Sequence, residues 1–270
     1  ETEGNLLVRA KVFVPTIIPL VLSSIAGTEE RALTLEARGF SSGIKPTHLY
    51  DIEKTEADKK AAEEAEKISK EKIAAYKNKV LGGLWGAIIG DALGVPVEFK
   101  SREEIRKNPV TTMRGYGTFN LPAGSWSDDS SLTLCTTESL INGLNTDRMG
   151  QLFVRWLKDG YWTPFGYAFD VGHTTAKAIK MMDSGIEPEF SGGIEERDNG
   201  NGSLMRILPV GICYADLPVA EMLANVHKVS SLTHRHSRSQ MACGFYCLMT
   251  SQLLKRVATQ DAYLYAVKQF

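Results

Sequence analysis

Two adjacent acids flanked by hydroxyl groups are the residues best suited to chemistry. They lie in the stretch Ser127-Asp128-Asp129, at the start of a run with helical spacing. Ser127 or Asp128 could be the N-cap of that helix, because a side-chain oxygen there accepts a backbone N–H. Capping needs only one such group. Two carboxylates and a hydroxyl also supply the hard oxygen ligands that Mg²⁺ and Mn²⁺ prefer, so the second acid points beyond capping to a metal site.

Another acid, Glu98, follows a glycine-rich apolar run. Gly82, Gly86 and Gly90 recur every four residues there, so one face of the predicted helix carries almost no side chain. Because glycine inside a helix costs about 1 kcal/mol relative to alanine, we interpret this face as a surface for close packing. Asp91, within the same run, is expected to be a hydrogen-bonded structural carboxylate. Glu98 lies just past the helix, where a loop carboxylate can face a site.

Further loops could hold a ligand. Residues 198–206 are rich in glycine and asparagine and predict a helix start at Ser203; such a loop suits a phosphate cradle or a plain turn. Residues 169–175 place an aromatic ring, an acid and a glycine ahead of a helix, which suits a ligand loop or a simple cap. His234 and His236 lack a third His or Cys at zinc-like spacing, so zinc is disfavoured.

The elements that would position these residues are helices. From Val80 onward apolar residues recur mainly at helical spacing, Ser101 with Glu104 predicts a capping box, and runs of β-branched residues between turns are nearly absent. The predicted longer helices cover residues 128–141, 147–158, 174–182, 217–229 and 236–257. We therefore predict an all-α domain, a compact multi-helix bundle with functional loops.

Two different segments precede this domain. Residues 51–79 are charge-rich with few large apolar residues, and pairs such as Glu66 with Lys70 favour a solvated helical linker. Residues 1–50 contain the apolar run Val12 to Ile25, interrupted by two prolines and short of the roughly 20 residues that a membrane span needs. The predicted organisation is therefore 1–50, 51–79 and 80–270.

Bulk composition narrows the function classes. The 270 residues carry 43% hydrophobic and 23% charged residues with a net charge of −1, typical of a folded protein without a basic surface. Nucleic acid is therefore not an expected partner. Four cysteines without a CxxC pair and the lack of a recognisable signal peptide predict reduced thiols in a cytoplasmic protein.

In their order, these motifs resemble the ADP-ribosylglycohydrolase family, also called the dinitrogenase-reductase-activating glycohydrolase family. The matching stretches are residues 82–98, 127–129, 169–175, 200–206 and 233–234. The resemblance implies an all-α fold and a binuclear Mg²⁺ or Mn²⁺ site that grips the distal ribose. It also implies hydrolysis of a glycosidic bond between ADP-ribose and a modified protein side chain or small molecule.

The same resemblance assigns roles to individual residues. Ser127, Asp128 and Asp129 match the first set of metal ligands, and Glu98 matches an acid that reaches the metals and substrate. Glu98 or one of the paired aspartates would orient the attacking water. The predicted substrate-binding residues are Phe169, Gly172, Asn201, Gly202, Ser203, Met205 and His234.

One departure from the family pattern qualifies this interpretation. The family carries a second metal-ligand motif, of the type Gly-Asp-x-Asp-Thr, and nothing like it lies between Leu254 and Phe270. We therefore expect a C-terminally incomplete domain in which the second ligand set is missing. The alternative function is a non-catalytic ADP-ribose-binding or crystallin-like member of the same fold.

The N-terminal segment resembles a different family. The stretch Val14-Pro-Thr-Ile-Ile-Pro-Leu20, followed by residues 29–40 with their Ala-Arg-Gly sequence, is similar to the C-terminal end of the transmembrane T component of energy-coupling-factor transporters. In that family the Ala-Arg-Gly helix couples to the ATPases. The resemblance implies a weak membrane or transporter association through residues 1–50.

Overall fold

The computed structural model describes residues 56–270, and this part of the chain is built from helices. The predictions for residues 1–50 lie outside it. In chain order the α-helices are α1 (Glu56–Gly94), α2 (Arg102–Lys107), α3 (Asp128–Ser139), α4 (Thr146–Asp159), α5 (His173–Asp183), α6 (Pro188–Ser191), α7 (Leu208–Cys213), α8 (Val219–Ser231), α9 (Ser237–Leu254) and α10 (Thr259–Val267). Short 3₁₀ helices lie at Val95–Val97, Leu140–Asn142 and Glu196–Asp198. Within residues 56–270 extended pairing is limited to one isolated bridge between Gly193 and His234, which confirms the all-α prediction.

Local capping explains why most helices begin where the sequence predicts. Ser101 and Glu104 form the expected reciprocal capping box of α2. The Ser127 side chain accepts the N–H of Asp129 and caps α3, and Asn145 caps α4 by accepting the N–H of Arg148. These bonds satisfy N–H groups that have no partner inside a helix.

One predicted boundary is wrong. Residues 201–206 form consecutive turns, and the helix that was expected from Ser203 begins only at Leu208. The reason is tertiary: Ser203 and Arg206 both turn into the core and bond to groups on and just after α8. The loop keeps an irregular backbone because these polar side chains are anchored inward.

The main hydrophobic core lies between α3, α4, α8 and α9. Its fully buried side chains include Leu132, Phe153, Trp156, Val226 and Leu248, one or two from each helix. Helix α9 packs against α7, α8 and α10, while α4 packs against α3 and α5. Cys135, Cys243 and Cys247 are buried as free thiols in this core, consistent with the predicted reduced cysteines.

Helix α1 joins the predicted linker to the first helix of the domain without a break. Its outer part carries the expected Glu66–Lys70 ion pair at 2.7 Å, where both side chains are exposed. Its inner part is held by a second, smaller apolar cluster in which Val80 and Leu84 pack with Leu208 of α7. The linker boundary at residue 79 therefore falls inside a continuous helix.

The glycine face of α1 has no neighbour among residues 56–270. A β-carbon placed at Gly82, Gly86 or Gly90 would meet no atom within 4 Å, so the predicted close packing is not found in the described part of the chain. Trp85 and Ile89 on this helix remain 37% and 44% exposed. By length and composition the stretch Glu63–Val97 could cross a membrane, a test that core helices of soluble proteins also pass.

Candidate active site

Asp91 organises the start of the acid-bearing helix. Its carboxylate accepts hydrogen bonds from the backbone N–H and the hydroxyl of Ser127, and from the backbone N–H and hydroxyl of Ser130, at 2.6–3.1 Å. The carboxylate thus sits at the N-terminus of α3, where the helix dipole favours negative charge. The expected structural role of Asp91 is confirmed, and its position ties α1 to the Ser127-Asp128-Asp129 segment.

A cluster of carboxylates surrounds this junction. Burial, followed by the charges of Asp129, Asp170 and Asp91, raises the pKa of Asp128 to about 8. Burial and the charges of Asp91 and Asp170 raise the pKa of Asp129 to about 6. These acids therefore repel one another, and none of them is neutralised by a basic side chain in the described residues.

Glu98 belongs to the same cluster. Burial, a side-chain hydrogen bond with Asp170 and the charges of Asp170, Asp129 and Asp91 raise the pKa of Glu98 to about 8. The backbone holds it in place, since its carbonyl accepts the Thr118 hydroxyl at 2.7 Å. The structure thus places Glu98 near Asp129, and both Glu98 and Asp128 interact with Asp91 and Asp170.

A row of aromatic rings includes the sequence neighbours of two of the acids, Glu98 and Asp170. Phe169, which precedes Asp170, packs against Phe119 with ring centroids 5.3 Å apart, and Phe119 contacts Phe99 at 6.2 Å. The Phe99 ring is 81% exposed. This row of rings offers an apolar surface beside charged groups, an arrangement that suits a ligand with both a flat ring and polar groups.

The predicted ligand loop lies against His234. A β-carbon at Gly202 would lie 2.6 Å from Cε1 of His234 and 2.6 Å from the hydroxyl oxygen of Thr175, so only glycine fits. Ser203 is buried and hydrogen-bonded to Ser230 at 2.9 Å. Asn201 is exposed at the front of the loop, whereas the half-buried Met205 accepts a hydrogen bond from Thr133 of α3 at its carbonyl.

The segment between residues 169 and 175 connects the acid cluster with the glycine-rich loop around Gly202. Asp170 interacts with Glu98, and a few residues later Thr175 reaches Gly202. Gly172 is the exposed N-cap of α5 between them, and its neighbour Thr174 donates to Asp198 at 3.3 Å. One short segment therefore contacts both the acid cluster and the glycine-rich loop.

Sequence reasoning missed several members of this site. Asp170 was noted only as part of a motif, although an acid between an aromatic residue and a helix start was a usable signal. Thr175 and Arg206 lie in the motifs 169–175 and 198–206, but the sequence does not reveal their partners, because Thr175 lies against Gly202 and Arg206 bonds to Thr233 from distant segments.

The oxygen atoms of the acid segment match the predicted divalent cations in chemistry but not in placement. Carboxylate and hydroxyl oxygens are the ligand chemistry that Mg²⁺ and Mn²⁺ prefer, and the mutual repulsion of the acids favours a cation. The carboxylates do not point at one common position, however. Residues 56–270 contain no group of three or more His, Cys, Asp or Glu side chains placed to hold a metal ion. Ser127 already donates its hydroxyl to Asp91, so its role as a ligand stays a prediction.

An all-α domain with clustered acids beside a glycine-rich loop is the architecture of a ligand-binding or hydrolytic domain. Comparison with known proteins identifies it further: the ADP-ribosylglycohydrolase family model matches residues 72–270. The chain belongs to this family.

Individual relatives agree with this assignment. The chain is similar to the ADP-ribosylarginine hydrolase Tri1 of Serratia proteamaculans, with 30% identity over 69% of this chain and 50% of that protein. It is also similar to the ADP-ribosyl-[dinitrogen reductase] glycohydrolase of Rhodospirillum rubrum, with 31% identity over 62% of this chain and 54% of that protein. A solved structure titled as an ADP-ribosylglycohydrolase-related protein complex superposes with a TM-score of 0.61 and 27% identity, covering 72% of this chain and 62% of its own. The chain spans about half the length of the curated relatives it matches.

The second resemblance is also found, over a short segment. The transmembrane protein EcfT of the Brevibacillus brevis energy-coupling factor transporter is 43% identical over 51 residues, which is 19% of each chain. The predicted membrane or transporter association of residues 1–50 lies outside the described residues, and this short similarity does not support it.

Proposed function

We propose that this protein hydrolyses the glycosidic bond between ADP-ribose and an arginine side chain of a modified protein. The observation that carries the proposal is the carboxylate cluster of Glu98, Asp128, Asp129 and Asp170, joined to the Gly202 loop through residues 169–175. Its family membership supports the reaction class. Arginine is the first leaving group to test, because the name of the Serratia relative specifies it.

The acids suit this chemistry because their protons are poised near neutral pH. General acid–base catalysis works best when the pKa of the group lies close to the working pH, and the pKa of Glu98 is about 8. Glu98 is therefore the residue proposed to exchange a proton with the attacking water or the leaving group. Asp129, whose lower pKa of about 6 leaves it ionised at neutral pH, would stabilise the positive charge that develops on the ribose as the bond breaks.

Mg²⁺ or Mn²⁺ is proposed as the cofactor. Asp128, Asp129 and the hydroxyl of Ser127 would hold the cation, with Glu98 close by. When bound, the cation would hold the ribose hydroxyls and lower the pKa of a bound water. The support is the oxygen-only donor set and the crowding of carboxyl groups, which raises the pKa values of Asp128 and Asp129 and which no basic side chain of residues 56–270 offsets.

The loop and the rings would bind the rest of ADP-ribose. The backbone amides around Asn201, Gly202 and Ser203 would face phosphate oxygens, because Asn201 is exposed, Gly202 has no side chain and the Ser203 side chain is turned into the core. Phe169 and its aromatic neighbours would pack against a flat group of the ligand.

The test combines binding with turnover. Mg²⁺ and Mn²⁺ are titrated into the purified 270-residue chain by calorimetry, with and without ADP-ribose, and release of ADP-ribose is then measured from an arginine-modified protein. The Asp129→Asn variant should lose about 100-fold or more in rate with unchanged helical circular dichroism. Asp147→Asn, which removes an exposed carboxylate in the first turn of α4, is the matched control.

The outcomes separate the two candidate functions. Metal-dependent release that is lost in Asp129→Asn supports the hydrolase. Binding of ADP-ribose without release would instead support the non-catalytic alternative. Absence of both binding and release would contradict both functions.

A further inference from the structure

A fully buried arginine lies behind the ligand loop without a carboxylate partner. Arg206 is 0% exposed, and its guanidinium stacks over the Phe153 ring at 4.7 Å. Its Nη2 donates to the Val229 carbonyl at 3.2 Å and to the Thr233 hydroxyl oxygen at 2.8 Å. Its Nε and Nη1 have no hydrogen-bond partner within residues 56–270. Burying such a charge is costly, so its location calls for a reason beyond packing.

The contact with Thr233 determines which way the threonine hydroxyl points. A guanidinium can only donate, so the Thr233 oxygen accepts at that contact. The hydroxyl proton then needs an acceptor. Nδ1 of His234, 2.9 Å away, is the acceptor that the described residues offer. Thr233 therefore donates to Nδ1, and the imidazole proton must be on Nε2.

His234 is also held neutral. It is only 2% exposed, and burial together with the charge of Arg206 lowers the pKa of His234 to about 4, against the opposing charge of Asp198. At neutral pH the ring thus has one proton, on the nitrogen that faces the loop. A β-carbon at either Gly200 or Gly202 would lie 3.3 Å from Nε2, so this nitrogen borders the loop on both sides.

We infer that Arg206 and Thr233 are positioning residues that fix His234 as the Nε2–H tautomer, so that the imidazole presents a neutral donor to a phosphate oxygen held in the Gly200–Gly202 loop. The identity of the phosphate ligand, ADP-ribose, rests on the proposed function, whereas the tautomer does not. We call this chain of hydrogen bonds, from Arg206 through the Thr233 hydroxyl to Nδ1 of His234, the relay. No covalent bond changes and no proton is lost along it. A charged imidazolium would bind phosphate at acidic pH only, whereas the fixed neutral donor serves at neutral pH.

The tautomer can be measured directly in the unliganded wild-type chain. Long-range ¹H–¹⁵N correlation NMR on protein labelled with ¹⁵N-histidine distinguishes protonated from unprotonated ring nitrogens, and a His234→Gln spectrum assigns the signals. We expect a protonated Nε2 and an unprotonated Nδ1 for His234 at neutral pH. A protonated Nδ1, an imidazolium or a mixture of tautomers in wild type would overturn the inference, and this result needs no variant other than the one used for assignment.

Variants at Thr233 test the relay. Thr233→Val has nearly the same shape but lacks the hydroxyl, so His234 should populate both tautomers and ADP-ribose should bind about tenfold more weakly by calorimetry. Thr233→Ser restores the hydroxyl and should restore both readouts. Thr137→Val is the matched control, because Thr137 is a buried threonine whose hydroxyl donates only to the Thr133 carbonyl within α3. It should leave the tautomer and the affinity as in wild type.

The two hypotheses fail in different ways. A Thr233→Val protein with the wild-type tautomer and affinity would contradict the relay even if the wild type binds and hydrolyses its substrate. A wild-type chain that shows the Nε2–H tautomer but does not bind ADP-ribose would contradict the proposed function, and the tautomer spectra of the Thr233 variants would then decide the relay alone.

Discussion

At the scale of single residues, Asp91 shows how one carboxylate can fix a site without reacting. Its two oxygens accept all four donors that Ser127 and Ser130 direct at it. The N-terminal turn of α3 is satisfied from another helix rather than from its own side chains alone. The orientation of Asp128 and Asp129 therefore depends on a residue that lies on α1.

Replacing Asp91 tests this dependence. Asp91→Ala leaves the N–H groups of Ser127 and Ser130 without their acceptor, and we expect it to lower the free energy of unfolding by about 2–3 kcal/mol. Asp91→Asn keeps one acceptor oxygen and should cost less. Urea unfolding followed by circular dichroism measures both. Equal stability of Asp91→Ala and wild type would show that water replaces the carboxylate.

The crowded acids predict an unusual dependence of stability on pH. Asp128 has a pKa of about 8 in the folded protein and an ordinary value of 3.8 otherwise. Between these values the folded state keeps a proton that the unfolded state has released, so the free energy of unfolding falls as pH rises from about 4 to about 8. Asp128→Asn removes the titrating carboxyl group. The free energy of unfolding of this variant should therefore fall less than that of wild type between about pH 4 and pH 8.

This prediction is checked by urea unfolding at about pH 5, 7 and 9 in a chelating buffer. The Asp147→Asn variant controls for removing a carboxylate outside the cluster. If Asp128→Asn followed the wild-type curve at every pH, burial and repulsion would not perturb Asp128 in solution. Asp128→Asn should also lose activity. The substitution would therefore stabilise the metal-free protein at the expense of its function.

At the scale of elements, the loop after α4 supports the acid segment. The Trp162 carbonyl accepts the indole N–H of Trp126 at 3.0 Å, next to Ser127. The loop begins at Gly160, which ends α4 with a left-handed backbone at φ 64°. A β-carbon there would lie 2.0 Å from the carbonyl carbon of Gly166. The chain can therefore fold back only because residue 160 has no side chain.

Two glycines in this loop form a matched pair. Gly166 also has a positive φ, 80°, but a β-carbon there would meet nothing within 4 Å. Gly166→Ala should cost only the left-handed backbone penalty, roughly 1–2 kcal/mol, whereas Gly160→Ala adds a backbone clash and should destabilise more. Thermal and urea unfolding of the two variants compare them. Equal destabilisation would mean that the loop moves freely away from Gly160.

The same distinction between local and tertiary causes explains what the sequence could predict. The capping box of Ser101 and Glu104 and the N-cap at Ser127 were predictable, because their partners lie within three residues. The family motifs located Glu98 and the paired aspartates. The late start of α7, by contrast, follows from the burial of Arg206, whose partners lie 23 and 27 residues away. No local pattern carries that information.

At the scale of the whole molecule, α1 is attached to the body at separate places, among them the hydrogen bonds of Asp91 to Ser127 and Ser130. Besides the small cluster around Leu84, the Lys79 ammonium donates to the carbonyls of Leu253 and Leu254 at the end of α9. The glycine face of the helix has no neighbour in residues 56–270. The same helix carries Asp91 and leads to Glu98, so the attachment of α1 determines where part of the acid cluster lies.

Leu84→Ala should therefore affect both stability and function. Leu84 is buried against α7, and truncating a buried leucine costs about 2–5 kcal/mol. Because Asp91 and Glu98 lie on or just after the same helix, loosening it should also reduce ADP-ribose release and metal binding. Ile89→Ala is the matched control: this side chain is 44% exposed on the same helix, and its loss should change stability by no more than about 0.5 kcal/mol. Urea unfolding and the ADP-ribose release assay are measured on both variants. A Leu84→Ala protein that is destabilised yet fully active would show that the geometry of the acid cluster does not depend on the packing of α1.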